Sequence, residues 1–168
     1  MRKLQLMTAC SMVLWGGFLA QAQTDVMPKP LEQGSVTQVE REVRAFLDSY
    51  AEDLRQQRRD AIVARYDSRG AYFLGHGHKI LESIESIKKR YLTEWQGPKS
   101  FDWKDISLEV LSPAAVVVAC RFDWQEEGQE ITTVSYTGLF IKSSGSWHIR
   151  LEDESIQPPK PLAHPAAK

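Results

Sequence analysis

Ala115-Val116-Val117-Val118-Ala119-Cys120-Arg121-Phe122-Asp123-Trp124 opens the stretch whose reading decides the fold, residues 114–156. Two more runs follow: Ile131-Thr132-Thr133-Val134-Ser135-Tyr136-Thr137-Gly138-Leu139-Phe140-Ile141, then Trp147-His148-Ile149-Arg150-Leu151-Glu152-Asp153-Glu154-Ser155. β-Branched and aromatic residues fill each run, because such side chains pack well on a pleated surface. Gly128 and Ser143-Ser144-Gly145 lie between the runs, where hairpin turns need them. The stretch therefore predicts three consecutive antiparallel strands. Residues 101–111 add a fourth, with Ile106, Leu108 and Val110 alternating against Asp105, Ser107 and Glu109, one dry face and one wet.

Upstream the period changes to that of a helix. Val36, Val39, Val43, Phe46, Leu47, Tyr50 and Leu54 form one stripe, with Ser35 and Gln38 spaced as a capping box. The basic run Arg55 to Arg59 reads as a solvated helix end, favourable at the negative end of the dipole. Asp60 is placed to cap a short helix, 61–66. Residues 71–74 form a short strand, and the turn Gly75-His76-Gly77-His78 leads to Lys79-Ile80. Ser83 caps a third helix that Gly97-Pro98 ends. Helices grouped ahead of a strand meander imply an α+β domain over 35–156. The expected architecture is a cone-shaped, curved antiparallel sheet covered on its concave face by three helices from the N-terminal side, with a pocket at the open end.

The ends have other roles. Arg2-Lys3, an apolar core over 4–19 and Ala20-Gln21-Ala22 make residues 1–22 a cleavable signal peptide. The apolar core is too short for a lasting membrane anchor. Most of it follows Cys10, which disfavours a lipoprotein site. Residues 23–34 read as a linker, and 157–168 as a disordered tail too poor in apolar residues to pack. An exported protein, periplasmic or secreted, is expected.

Twenty-one basic against 22 acidic residues give a formal net charge of −1. That balance offers no electrostatic footprint for nucleic acid. Beyond the leader Cys120 is the sole cysteine, so no internal disulfide is possible, and a lone cysteine in an apolar strand reads as core. No nucleotide-binding loop, nucleophile elbow or zinc pattern occurs, so no cofactor or metal is expected. His76 and His78 lack the further ligands that a metal site needs, and His76 is kept as a residue at the pocket mouth.

The element order resembles the SnoaL-like group of the nuclear transport factor 2-like superfamily. The first helix carries Phe46-Leu47 and Tyr50, and the short helix closes on Tyr66-Asp67. Residues 77–84 enter the third helix, and Gly145-Ser146-Trp147-His148-Ile149 opens the last strand. The resemblance spans residues 36–155 and implies a cone-shaped pocket. In that superfamily some members are cyclases, isomerases or dehydratases that move protons with a pocket Asp, Tyr or His, and others are non-catalytic. Many relatives carry a His in the last strand, where this chain has Glu152-Asp153-Glu154.

Simple alternation puts Trp147, Ile149, Leu151 and Asp153 on the inward face of the last strand, which makes Asp153 the candidate general base. Arg121 is a candidate anion-binding residue, since a guanidinium suits bidentate carboxylate recognition. Which face of strand 115–124 looks inward is left open by its periodicity. Tyr66, Tyr91, Trp95 and Tyr136 are the expected pocket aromatics, each with an apolar body and a polar tip. Two functions compete. One is a non-catalytic exported domain that binds a small hydrophobic ligand. The alternative is a cofactor-independent acid–base enzyme of cyclase, isomerase or dehydratase type, with Tyr66 or Tyr136 as oxyanion donors. A homodimer through the outer sheet face is expected, and an assembly role through that face is a third reading.

Overall fold

The computed structural model describes residues 31–75 and 78–156. The expected signal peptide, most of the expected linker, His76 and the expected tail fall outside these residues. Helix α1 (Gln33–Arg55) buries Val39, Val43, Leu47, Tyr50, Ala51 and Leu54 at intervals of one helical turn. It starts two residues ahead of the expected capping box, and its N-cap Glu32 makes no side-chain bond. Helix α2 (Arg59–Ala64) buries Ile62. Asp60 sits inside its first turn, where a carboxylate suits the dipole, rather than capping it. The hairpin β1 (Ala71–Gly75) and β2 (His78–Glu82) comes next. Ser83 does cap helix α3 (Ile84–Lys89), its hydroxyl accepting from the Ser86 N–H at 3.2 Å. Residues Arg90–Glu94 continue α3 as a wider π-turn.

The basic run is more than a solvated end. Asp53 is buried at 3% exposure and is held by Arg58 at 2.7 Å and by Arg65. Arg59 donates to the Leu92 carbonyl at 3.1 Å, and Arg55 donates to that of Phe101 at 2.9 Å. These bonds tie the C-terminus of α1 to α2, to the π-turn and to the sheet.

Strands β3 (Ser100–Ser112), β4 (Ala115–Gln125), β5 (Thr132–Ser143) and β6 (Ser146–Ile156) form the expected antiparallel meander. The open six-stranded sheet has the order β2-β1-β6-β5-β4-β3. One junction is parallel, β1 beside β6, because the chain returns through the helices to reach that edge. The fold is α+β with a curved sheet and three helices on the N-terminal side.

Three one-residue irregularities interrupt the register, two in β3 (the second between Val110 and Ser112) and one in β6. In β3 the register slips between Lys104 and Ser107, with Asp105 in the left-handed region at φ 51°. In β6 Leu151 pairs with Leu139 while Ile149 pairs with Phe140, so Arg150 is the extra residue. Its guanidinium donates to the Gly70 carbonyl at 2.5 Å. Gly70 has φ 85°, and a Cβ there would stand 1.9 Å from the Glu82 carbonyl oxygen, so only glycine fits.

The core lies between α1 and the inner sheet face. Val116, Val118, Cys120 and Phe122 of β4 are buried in it with Phe140 and Ile149. That settles the face of β4. Arg121 points outward and pairs with exposed Asp105, away from the interior.

A carboxyl and four tyrosines at the end of an aromatic cavity

The extra residue in β6 reverses the strand's alternation. Trp147 and Ile149 face inward as expected. Arg150 and Leu151 then share the outer side, and the inward positions pass to Glu152, Glu154 and Ile156. Asp153 is therefore not in the cavity wall. Glu152 stands there instead, with 4% of its surface exposed.

Glu152 sits at the buried end of a cavity of about 800 Å³. Tyr50 and Leu54 of α1 contribute to the wall, with Phe73 of β1 and Arg90, Tyr91 and Trp95 at the end of the third helix. The strands add Phe101, Trp103, Phe122, Trp124, Val134 and Tyr136. Aromatic rings meet edge to face through much of this wall: Tyr91 on Trp95 at 5.3 Å, Trp95 on Trp124 at 6.3 Å, Trp103 on Tyr136 at 5.3 Å. Exposed Glu126, Gln129 and Glu130, from the loop between β4 and β5, mark the open end.

Two tyrosine hydroxyls meet the carboxyl, and two more meet the hydroxyl of Tyr66. Tyr66 donates to Glu152 Oε1 at 2.9 Å, and Tyr136 reaches Oε2 at 3.5 Å. With Tyr66 so engaged, its oxygen accepts from Tyr91 at 2.8 Å, and Tyr50 stands 3.5 Å away. Local backbone sets these positions. The segment before β1 lies beside β6, with Asp67 N–H donating to the Ile149 carbonyl at 3.0 Å and Ile149 N–H to that of Arg65 at 2.7 Å. This fixes Tyr66 next to Glu152. On the other side Gly138 pairs with Glu152 across the strands. A Cβ on Gly138 would come within 2.7 Å of the Tyr136 hydroxyl, so the missing side chain leaves the space in which Tyr136 lies.

Burial is the main cause that pushes the Glu152 carboxyl up to about 8, and the charge of Glu154 adds to it. Hydrogen bonds from Tyr66 and Tyr136 and the nearby Arg90 act the other way. Glu154 keeps a solvent-accessible surface within the concavity, and its carboxyl too is raised, chiefly by desolvation. Tyr50, Tyr66, Tyr91 and Tyr136 are all held above the usual phenol range by burial first and then by neighbouring charge. They remain neutral donors. Arg90 stacks on Phe73, 4.2 Å from the ring centre, and meets Glu82 at 3.4 Å.

Of the residues singled out in the sequence, Tyr91, Trp95 and Tyr136 line the cavity, and Tyr66 stands behind Glu152 as its closest donor. Arg121 and Asp153 lie elsewhere, and His76 is outside the described residues. Glu152, Tyr50 and Arg90 were missed. Burial pushes the Cys120 thiol up to about 12, so it is no nucleophile at neutral pH. A second, more open depression near Trp147 holds Glu42, which Lys142 at 2.6 Å and the Trp147 N–H at 3.0 Å already engage. Those bonds lower the Glu42 carboxyl to about 2.

Solved structures share this fold. A scytalone dehydratase-like protein from Novosphingobium aromaticivorans superposes with a TM-score of 0.62 at 13% identity, covering 81% of this chain and 95% of that one. The chain has the nuclear transport factor 2-like fold. A ketosteroid isomerase-like protein from Parabacteroides distasonis matches at TM-score 0.54 and 16% identity, over 74% of this chain and 86% of its own. A nuclear transport factor 2-like protein of unknown function from Shewanella oneidensis matches at 0.52 and 16%, over 73% and 97%. No protein-family model matches the chain, and no curated protein matches its sequence. Identities this low establish the fold alone.

Proposed function

We propose that this nuclear transport factor 2-like protein is a cofactor-independent acid–base enzyme acting on a small, largely apolar substrate. The observation that carries the reading is Glu152, a carboxyl that faces an aromatic cavity and that burial pushes up to about 8. A proton carrier works best with a pKa close to the working pH. Glu152 would take a proton from carbon or oxygen, and neutral tyrosine hydroxyls would donate to the developing oxyanion. Tyr136 and Tyr91 belong to the wall and can reach a bound molecule directly, while Tyr66 orients the carboxyl. Isomerisation, enolisation and dehydration all need these parts.

The fold neighbours named after a dehydratase and an isomerase are compatible with the reading. An exported location belongs to the proposal and rests on residues 1–22. A non-catalytic binding domain would use the same aromatic wall, which is the specific observation in its favour. It would have no use for a buried ionisable carboxyl, whose burial costs stability.

The test is solvent exchange. A panel of enolisable aryl and cyclic ketones is incubated with the protein in D2O, and loss of the α-proton signal is followed by NMR. Exchange is expected from the native protein and a loss of at least about a hundredfold in Glu152→Gln. Equal rates in the two proteins would show that Glu152 does not move the proton. Binding of panel members without any exchange would favour the non-catalytic domain.

A further inference from the structure

The cavity mouth carries a charge pattern that the acid–base reading does not use. Glu126, Glu130 and Glu154 contribute exposed carboxyls to the wall, against one cationic side chain among the described residues, Arg90. That guanidinium is already engaged, stacked on Phe73 and Tyr91 and paired with Glu82. Glu126, Glu130 and Glu154 form no ion pair among the described residues, whereas neighbouring Glu127 is paired with Lys99 at 3.2 Å. An anionic group would therefore meet net repulsion from these three carboxyls. A wholly neutral one would leave the carboxylates without a role.

The aromatic arrangement supplies the complement. Trp95 and Trp124 belong to the same wall as the three exposed carboxylates, with Trp95 also on the edge of Tyr91. Indole faces attract cations through their quadrupole, and most strongly cations that give up water easily. An alkylated ammonium is such an ion. A strongly hydrated metal ion or primary ammonium would gain less from an apolar wall.

We infer that the ligand class of this cavity is an aromatic-sized organic cation whose alkylated ammonium lies at the mouth, between the indoles of Trp95 and Trp124 and the carboxylates of Glu126, Glu130 and Glu154. This rests on the reading of the cavity as the functional site. It extends that reading by placing the charged end of the molecule at the mouth and its reacting neutral end against Glu152, Tyr91 and Tyr136. The recognition follows from shape and charge alone and needs no turnover.

The test compares two isosteres, 4-(trimethylammonio)benzyl alcohol and 4-tert-butylbenzyl alcohol, by calorimetry on the full chain, with 4-tert-butylbenzoate as the anionic control. The cation is expected to bind at least about tenfold more tightly than its neutral isostere, and the benzoate most weakly. Trp124→Leu and the double change Glu126→Gln with Glu130→Gln should each bring the ratio of cation to neutral affinity down to within about threefold of one, whatever their effect on overall affinity. Equal or tighter binding of the neutral alcohol would overturn the cation assignment and leave the acid–base reading standing. Tightest binding of the benzoate, or no binding by any of the three, would also overturn it. Loss of exchange chemistry in Glu152→Gln is read separately, so failure of one proposal is distinguishable from failure of the other.

Discussion

At the scale of single residues, burial of Glu152 costs stability wherever its carboxyl must ionise. Its folded-state pKa of about 8 lies above the ordinary value of 4.5. Between these values the folded state holds a proton that the unfolded chain has lost. Stability therefore falls as pH rises through that window, and the full cost is present above about pH 8. Glu152→Gln keeps the shape and removes the ionisation. It should match the native protein near pH 4 and exceed it by about 2–4 kcal/mol at pH 9, read by thermal or urea unfolding at both pH values. A difference that does not depend on pH would mean that Glu152 is not buried in its neutral form. Tyr66→Phe removes the closest donor to that carboxyl. It should cost about 1–2 kcal/mol and move the Glu152 titration further up, because the Tyr66 bond favours the charged form.

At the scale of elements, the site depends on irregularities that periodicity does not reveal. The helical stripe of α1, the Ser83 cap and the β3–β6 meander were legible because hydrophobic spacing and turn residues encode them directly. The tyrosines and Trp95 were legible as aromatics with polar tips. Glu152 was not. Strict alternation from Trp147 leads to Asp153, and one extra residue at Arg150 moves the inward position back to Glu152. The signal that was available is weak: Glu152 and Glu154 follow the apolar positions as closely as Asp153 does, and Gly138 stands opposite Glu152. Gly138 now has a definite role. Gly138→Ala should displace Tyr136, cost about 1–3 kcal/mol and lower any exchange activity, as checked by unfolding and by the D2O assay. Asp53 is a second case of tertiary context, since a basic run that reads as solvated anchors itself on a buried carboxylate. Asp53→Asn should cost about 1–3 kcal/mol, discounted because Arg58 is partly exposed.

At the scale of the whole molecule, the outer sheet face carries an apolar row. Leu81, Tyr72, Leu151, Leu139 and Val117 are consecutive cross-strand partners from β2 through β1, β6 and β5 to β4. The reversal at Arg150 brings Leu151 into that row, so one irregularity shapes both faces of the sheet. We propose that two copies meet across this face. Light scattering at tens of micromolar should give the mass of a dimer, and Leu139→Lys should give a monomer. A native monomer at that concentration would remove the assignment.

We propose that one buried carboxyl, placed by one extra residue in the last strand, carries the proton at the end of the aromatic cavity. A 13C NMR titration of the glutamate side-chain carboxyls, with Glu152 assigned by its loss in Glu152→Gln, tests this directly. A midpoint near 8 for that resonance is the predicted result. A midpoint near 4.5, with the fold intact, would contradict it.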